Sequence, residues 1–326
     1  MKMIAYNCRP DELECFREFA AKYGVDLKLT REVPSPENAD MAKGCACMSV
    51  LTSPMPRSLL QKYHDEGVRF LSTRSIGYDH IDVKAAKEIG MHVGNASYAP
   101  DSVADYTVMM ILMATRKIKA IALRSAAQDF TLAGVQGVVL HKLTVGVIGT
   151  GHIGRLVAKR LSAFGCRIIA HDLFENDQAR QYAEYVPLDR LYAESDVITL
   201  HMPATKENHH MIGKDAFAAM KDGVFLVNTA RGSLIDTQAL ADAVESGKVA
   251  GAALDVVEDE AGIYYNDMRN RALKNRRLAV LKSYPNVIVT PHTAFYTDQA
   301  VSDMVEHSIE SCVLFSRGQE NTWQVV

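Results

Sequence analysis

The chain has 326 residues, 48% hydrophobic and 23% charged, with a formal net charge of −3 at pH 7 and a sequence pI near 6.4. That length suits about two domains with sizeable cores, and the slight acidity gives no electrostatic reason to bind nucleic acid or an anionic membrane surface. Six cysteines (Cys8, Cys15, Cys45, Cys47, Cys166, Cys312) fall without a paired C-x-x-C, so neither a zinc site nor a disulfide framework is suggested. The apolar start breaks at Asn7 and Arg9, too early for a secretory signal, and no run approaches membrane-spanning length, so a cytoplasmic protein is expected.

In chain order, short apolar runs at 3–6, 25–29, 45–50, 68–72 and 91–94 read as strands, and the amphipathic segments 13–23, 57–66 and 82–88 read as helices between them. This βα unit lacks a phosphate-binding glycine loop, so it is expected to be the substrate half. The chain changes character at Tyr98-Ala99-Pro100-Asp101-Ser102, where Asp101 or Ser102 is placed to cap a long helix. A second series at 143–148, 167–171, 197–200, 224–227, 251–254 and 287–289 gives six strands separated by helices, the pattern of a doubly wound parallel sheet. A last helix over 298–315 lies beyond that count and is expected to return to the first domain. The fold class expected is α/β, with two Rossmann-like or flavodoxin-like domains built on parallel sheets.

The second series opens on Gly149-Thr150-Gly151-His152-Ile153-Gly154, and Asp172 follows eighteen positions after the last glycine. Each glycine of a G-x-G-x-x-G loop meets a separate steric need, and the helix N-terminus behind it attracts a pyrophosphate. An acid at the end of the next strand accepts ribose hydroxyls and repels a 2′-phosphate. NAD is therefore expected rather than NADP.

Ligands of open α/β sheets lie beyond the carboxyl ends of the strands, so residues just past each strand are site candidates. Asn228-Thr229-Ala230-Arg231-Gly232 follows the fourth strand of the series, Asp255 to Glu260 the fifth, and Pro291-His292-Thr293-Ala294 the sixth. An Arg, an acid and a His meeting at a nicotinamide suit reduction of a 2-keto acid. Arg231 would grip the substrate carboxylate with a planar fork, and His292 would donate a proton to the carbonyl oxygen as hydride arrives. Glu260 would fix the tautomer of His292, with Glu258 and Asp259 as rivals that spacing does not separate. Gly149, Gly151, His152, Ile153, Gly154, Asp172, His201, Pro203, Thr229, Ala230, Arg231 and Asp255 are the expected cofactor contacts. His201 also follows a strand and rivals His292; a cofactor contact or structural hydrogen bond is the reading preferred for it. His152 reads as a loop residue facing phosphate and His80 as a structural turn residue. His209-His210 has no nearby acid or Cys at ligand spacing, so no metal is expected.

At 72–82, 99–107, 144–154, 228–232, 253–260 and 291–297 the sequence resembles the D-specific 2-hydroxyacid dehydrogenase family, most closely its D-lactate dehydrogenase branch. The resemblance implies a discontinuous substrate domain, 1–99 plus 297–326, around an NAD domain over 100–296. It assigns Arg231, Glu260 and His292 as the catalytic trio, choosing the last carboxylate of the run. It further implies that Ile76 and Gly77 offer backbone N–H groups to the substrate carboxylate, that Tyr98 and Phe295 line the pocket, and that 116–140 form a homodimer interface. Arg74 reads as loop-stabilising, with substrate contact as the alternative. Ala261 stands where many members carry Pro after the catalytic acid. Asp172 stands where the vancomycin-resistance D-lactate dehydrogenase of this branch, which prefers NADP, lacks an acid. The expected activity is NADH-dependent reduction of a small 2-keto acid to the D-2-hydroxy acid, pyruvate first and phenylpyruvate or branched keto acids next. A formate or phosphite dehydrogenase and a non-enzymatic NAD-sensing, corepressor-like protein are the alternatives.

Overall fold

Apolar runs rich in β-branched residues pair in parallel wherever helices cover both faces of the resulting sheet, and this happens twice along the chain. The structure, a computed structural model, describes residues 1–326 and divides them into two units, Met1–Ala99 with Tyr296–Val326, and Pro100–Phe295. Tyr296 thus belongs with the first unit, one residue earlier than expected.

The first unit runs β1 (Lys2–Ala5), α1 (Leu13–Tyr23), β2 (Asp26–Leu29), β3 (Cys47–Val50), α2 (Arg57–Asp65), β4 (Phe70–Thr73), α3 (Val83–Glu88) and β5 (His92–Gly94). Its five parallel strands lie in the order β2-β1-β3-β4-β5, a flavodoxin-like arrangement. Every residue of β3 and β4 is buried, as a strand covered on both faces requires. Tyr6, Leu60 and Tyr63 fill one face. On the other, Phe16 and Phe19 of α1 meet Ile309, Cys312 and Val313 of the C-terminal helix Asp298–Ser316, so the chain does return here.

Arg74 is the largest fully buried side chain and is not left unpaired. It donates to Glu12 Oε1 (2.9 Å), Ser49 Oγ (2.9 Å) and the Tyr6 carbonyl (2.9 Å), and lies over the Phe16 ring. Removing one partner of such a pair typically costs about 3–5 kcal/mol, so this network pins the loop after β4.

The second unit runs α4 (Asp101–Thr115), α5 (Ile118–Ala126), β6 (Thr144–Ile148), α6 (His152–Ser162), β7 (Arg167–His171), α7 (Asp177–Arg180), β8 (Glu184–Tyr185), α8 (Leu188–Glu194), β9 (Val197–Leu200), α9 (Lys214–Ala219), β10 (Val224–Asn228), α10 (Thr237–Glu245), β11 (Val249–Leu254), α11 (Arg276–Ser283) and β12 (Val287–Val289). Seven parallel strands lie in the order β12-β11-β10-β9-β6-β7-β8. The seventh is β8, whose two residues are too few to show a period in sequence. The direction of winding reverses between β6 and β9, which opens a crevice at their carboxyl ends. One expectation fails at α4: its cap is Pro100 and no side chain caps it. Asp101 instead lies in the first turn and accepts from Arg160 Nη2 at 2.6 Å.

Candidate active site

At the reversal point, the three glycines after β6 divide their work. Gly149 takes φ +91°, and a Cβ there would come within 2.6 Å of the His201 carbonyl oxygen. A Cβ on Gly154 would meet the Gly149 oxygen at 1.9 Å, so helix and strand touch through backbone. Gly151 has no heavy atom within 4 Å of its Cβ position. That opening faces the start of α6, where Gly151 is the cap without a side-chain bond and the ladder begins only with Arg155 N–H donating to the Gly151 carbonyl (3.1 Å). Uncapped N–H groups beside open space fit a pyrophosphate. His152 is exposed there and Ile153 half-buried.

Asp172, just past β7, accepts from Thr150 N (2.5 Å) and Thr150 Oγ1 (3.0 Å) through Oδ2 and from Phe174 N (3.0 Å) through Oδ1. Burial raises its pKa, but these bonds outweigh burial and hold the carboxyl below the usual range. His201, past β9, has Nε2 2.9 Å from Thr199 Oγ1, and desolvation pushes its pKa down to about 3. It is neutral at ordinary pH. Pro203 on the same loop accepts from Asn208 Nδ2 at 2.8 Å.

At the end of β10, the buried Asn228 accepts from Ala230 N (2.9 Å) and donates to the Arg231 carbonyl (2.8 Å), which folds Thr229, Ala230 and Arg231 into a fixed turn. Thr229 Oγ1 is anchored 2.8 Å from Thr107 Oγ1, and Arg231 Nη1 donates to the Ala230 carbonyl at 2.7 Å. A Cβ on Gly232 would lie 2.1 Å from the Val257 carbonyl carbon. Glycine is what lets the Arg231 turn pack against the loop after β11.

That loop begins at Asp255, which is fully buried with both oxygens engaged: Oδ1 accepts from Thr290 Oγ1 (2.5 Å) and Thr293 N (2.9 Å), Oδ2 from Ala294 N (2.8 Å). The sequence reading placed Asp255 among cofactor contacts; in the structure its carboxylate holds the loop after β12, with Oδ2 accepting a single bond. On that loop His292 sits at φ +53°, an uncommon conformation for a residue with a Cβ. Its N–H donates to the Asp255 carbonyl (2.8 Å) and its own carbonyl accepts from Tyr265 OH (2.7 Å). The strained backbone aims the imidazole at an acid: Nδ1 lies 2.6 Å from Glu260 Oε1, while Glu260 Oε2 accepts from Val257 N at 3.1 Å.

Neither rival acid reaches His292. Glu258 faces His210 Nε2 (2.6 Å) through Oε1 and accepts from Thr237 N (2.9 Å) and Thr237 Oγ1 through Oε2; Asp259 is exposed in a turn. The premise that no acid stands near His209-His210 is therefore corrected, since the donor atoms of His209, His210 and Glu258 lie within 4.8 Å of one another. Both Glu258 oxygens are already engaged and Arg277 stands 3.8 Å away, which makes the group a brace between two loops.

Phe295 packs edge-on at 6.5 Å from the His292 ring. In the first unit, Ser75 Oγ donates to the Gly77 carbonyl (2.7 Å) and Asn95 Nδ2 to the Ile76 carbonyl (2.9 Å), so the loop pinned by Arg74 leaves the N–H groups of Ile76 and Gly77 without protein acceptors. Tyr98 is half-buried beside Ala99, whose N–H donates to Asp303 Oδ2 (3.1 Å); His80 Nε2 lies 3.0 Å from Thr73 Oγ1. Sequence reasoning gave no role to Thr150, a variable position inside the glycine motif, and missed Tyr185 and Tyr265, which belong to no motif and join the site through long-range contacts.

A family model described as D-isomer specific 2-hydroxyacid dehydrogenase, NAD binding domain, matches residues 108–294. The chain is 48% identical over 309 residues to an aromatic 2-oxoacid reductase of Clostridium sporogenes, spanning 94% of this chain and 93% of the relative. It is 44% identical to a D-specific alpha-keto acid dehydrogenase of Enterococcus faecium across 98% of both. Its backbone matches a D-lactate dehydrogenase from Treponema pallidum with a TM-score of 0.91, at 34% identity over 100% of both chains. No helix is long and apolar enough to cross a membrane.

The His201 shift has a consequence for stability. An unfolded histidine takes up its proton near 6.5 and the folded one near 3, so the unfolded state binds more protons between those values and stability falls as pH drops through them. The melting temperature of the wild type is expected to decline from pH 6.5 downwards more steeply than that of His201→Asn. Parallel curves for the two proteins would show that His201 carries no such linkage.

Proposed function

Given that the chain belongs to the D-isomer specific 2-hydroxyacid dehydrogenase family, an NAD-dependent oxidoreductase working between 2-keto acids and D-2-hydroxy acids, we propose that Arg231, Glu260 and His292 carry the reaction and that bulky, aromatic keto acids are preferred over pyruvate. The observation that carries the assignment is the 2.6 Å contact between His292 Nδ1 and Glu260, made by one acid of the three candidates.

The glycine loop and the start of α6 would hold the pyrophosphate, and Asp172 the ribose hydroxyls. When bound, the nicotinamide supplies or accepts the hydride. Arg231 stays charged at any working pH and presents a planar fork, so it orients the substrate carboxylate and fixes which carbonyl face is offered. With Nδ1 turned to a carboxylate, the mobile proton of His292 sits on Nε2, from which it passes to the keto oxygen as negative charge develops; in oxidation the same nitrogen takes it back. Neutral His201 has no proton of that kind to give. The backbone N–H groups of Ile76 and Gly77 are donors suited to a carboxylate.

Two observations support the preference for bulk. Tyr265 and Phe295 each stand 6.5 Å from the His292 ring, and the 48% identical relative is named for aromatic 2-oxoacids. This order reverses the sequence reading, which put pyruvate first. All six cysteines are free thiols, which suits a reducing cytoplasmic setting. We infer further that a second copy covers α5 and the segment after it, where Leu123, Phe130 and Leu132 are 59%, 76% and 86% exposed.

Steady-state kinetics test the chemistry. Burying an aromatic side chain is worth enough that kcat/KM for phenylpyruvate should exceed that for pyruvate about tenfold or more. His292→Gln should lower kcat by about 10²–10⁴ while NADH binding is retained. Arg231→Lys should lose at least about tenfold in kcat/KM although the charge remains. Pyruvate as the better substrate would remove the aromatic preference, and a near-normal His292→Gln enzyme would remove the mechanism. For assembly, sedimentation equilibrium should give twice the 36.0 kDa chain mass; a single-chain mass at micromolar concentration would contradict the dimer.

A further inference from the structure

Four groups of the second unit form a chain of hydrogen bonds that ends on Asp172. The backbone N–H of Asn176 donates to the Tyr185 hydroxyl oxygen (2.8 Å), Tyr185 O–H donates to Thr150 Oγ1 (2.6 Å), and Thr150 O–H donates to Asp172 Oδ2 (3.0 Å). The direction is forced. An ionised carboxylate can only accept, so the single hydroxyl proton of Thr150 goes to Asp172, and Thr150 Oγ1 is left to accept the phenolic proton of Tyr185, whose oxygen accepts from the Asn176 N–H.

Bonds aligned in this way polarise one another, and all of them favour the ionised carboxylate at the far end. They also decide which oxygen is available. Oδ2 accepts twice, from Thr150 N and Thr150 Oγ1, whereas Oδ1 accepts from Phe174 N at 3.0 Å. Oδ2 is thus the oxygen that the network ties down. Tyr185 is itself seated, in the short edge strand β8 and with the Arg180 guanidinium 5.1 Å over its ring.

We propose that Tyr185 is a positioning residue for cofactor selection: through Thr150 it fixes Asp172 as an oriented, charged acceptor for the ribose hydroxyls of NAD and as a repellent for the 2′-phosphate of NADP. This deepens, and rests on, the reading of Asp172 as the ribose acceptor. A merely structural tyrosine would affect both cofactors alike. A selecting one changes their ratio.

The test is fluorescence titration of NADH and of NADPH, without substrate, into the wild type, Tyr185→Phe, Thr150→Val, Thr150→Ser and Asp172→Ser. Loss of one bond in a charged network should cut the preference for NADH over NADPH by about five- to tenfold in Tyr185→Phe, chiefly through weaker NADH binding. Thr150→Val should behave likewise and Thr150→Ser should keep the wild-type ratio. If Tyr185→Phe does not fold, the Val and Ser pair at Thr150 decides. The proposal is overturned if the preference survives in Tyr185→Phe, or in Thr150→Val, while it collapses in Asp172→Ser. Equal weakening of both cofactors also overturns it. Should Asp172→Ser itself leave the preference intact, the ribose reading is what fails.

Discussion

Asp255 brings a carboxylate into the floor of the second unit, and the surrounding chain is arranged to satisfy it. A buried carboxylate without donors is costly, and this one collects a hydroxyl and two backbone N–H groups from the single loop that follows β12. Its own backbone carbonyl takes the His292 N–H as well. The loop is thereby wrapped around one side chain, tightly enough to keep His292 in a left-handed conformation that few residues with a Cβ adopt. Release of that conformation would swing the imidazole away from Glu260. The strain is sustained because Asp255 and Tyr265 over-determine it from two sides.

The same logic extends outwards from the dyad. Gly232 admits the Arg231 turn against Val257, and Val257 N–H in turn holds Glu260. Glu258, two residues before the dyad acid, binds the loop to Thr237 and His210. The proposed chemistry would thus be supported by backbone contacts between three neighbouring strand ends, each presenting one side chain. Their order across the sheet, β10, β11 and β12, is what makes three distant sequence positions adjacent.

Much of this is legible in the sequence. The glycine loop, the alternation of strands and helices, and the switch between two sheets follow from local rules, and so do the strand-end positions of Arg231, Glu260 and His292. What escaped depends on tertiary contact. β8 has two residues and no period, so the sequence reading placed no strand at Tyr185. Asp255 carries the same signal as any polar residue beyond a strand, and only its burial and its bonds to Thr290, Thr293 and Ala294 show that it holds a loop. His209-His210 looked isolated because Glu258 is 48 positions from His210. Asp101 has good capping chemistry, but an arginine on α6 takes its carboxylate.

The central claim is that His292 works from a fixed tautomer, with Nδ1–H given to Glu260 and Nε2 free to exchange a proton with the substrate. Nitrogen-15 chemical shifts of the His292 ring, followed through a pH titration of the intact enzyme, read this directly. The account requires Nδ1 to remain protonated throughout while Nε2 alone passes between its protonated and bare shifts. A bare Nδ1 in the neutral ring, with the proton resident on Nε2, would contradict it.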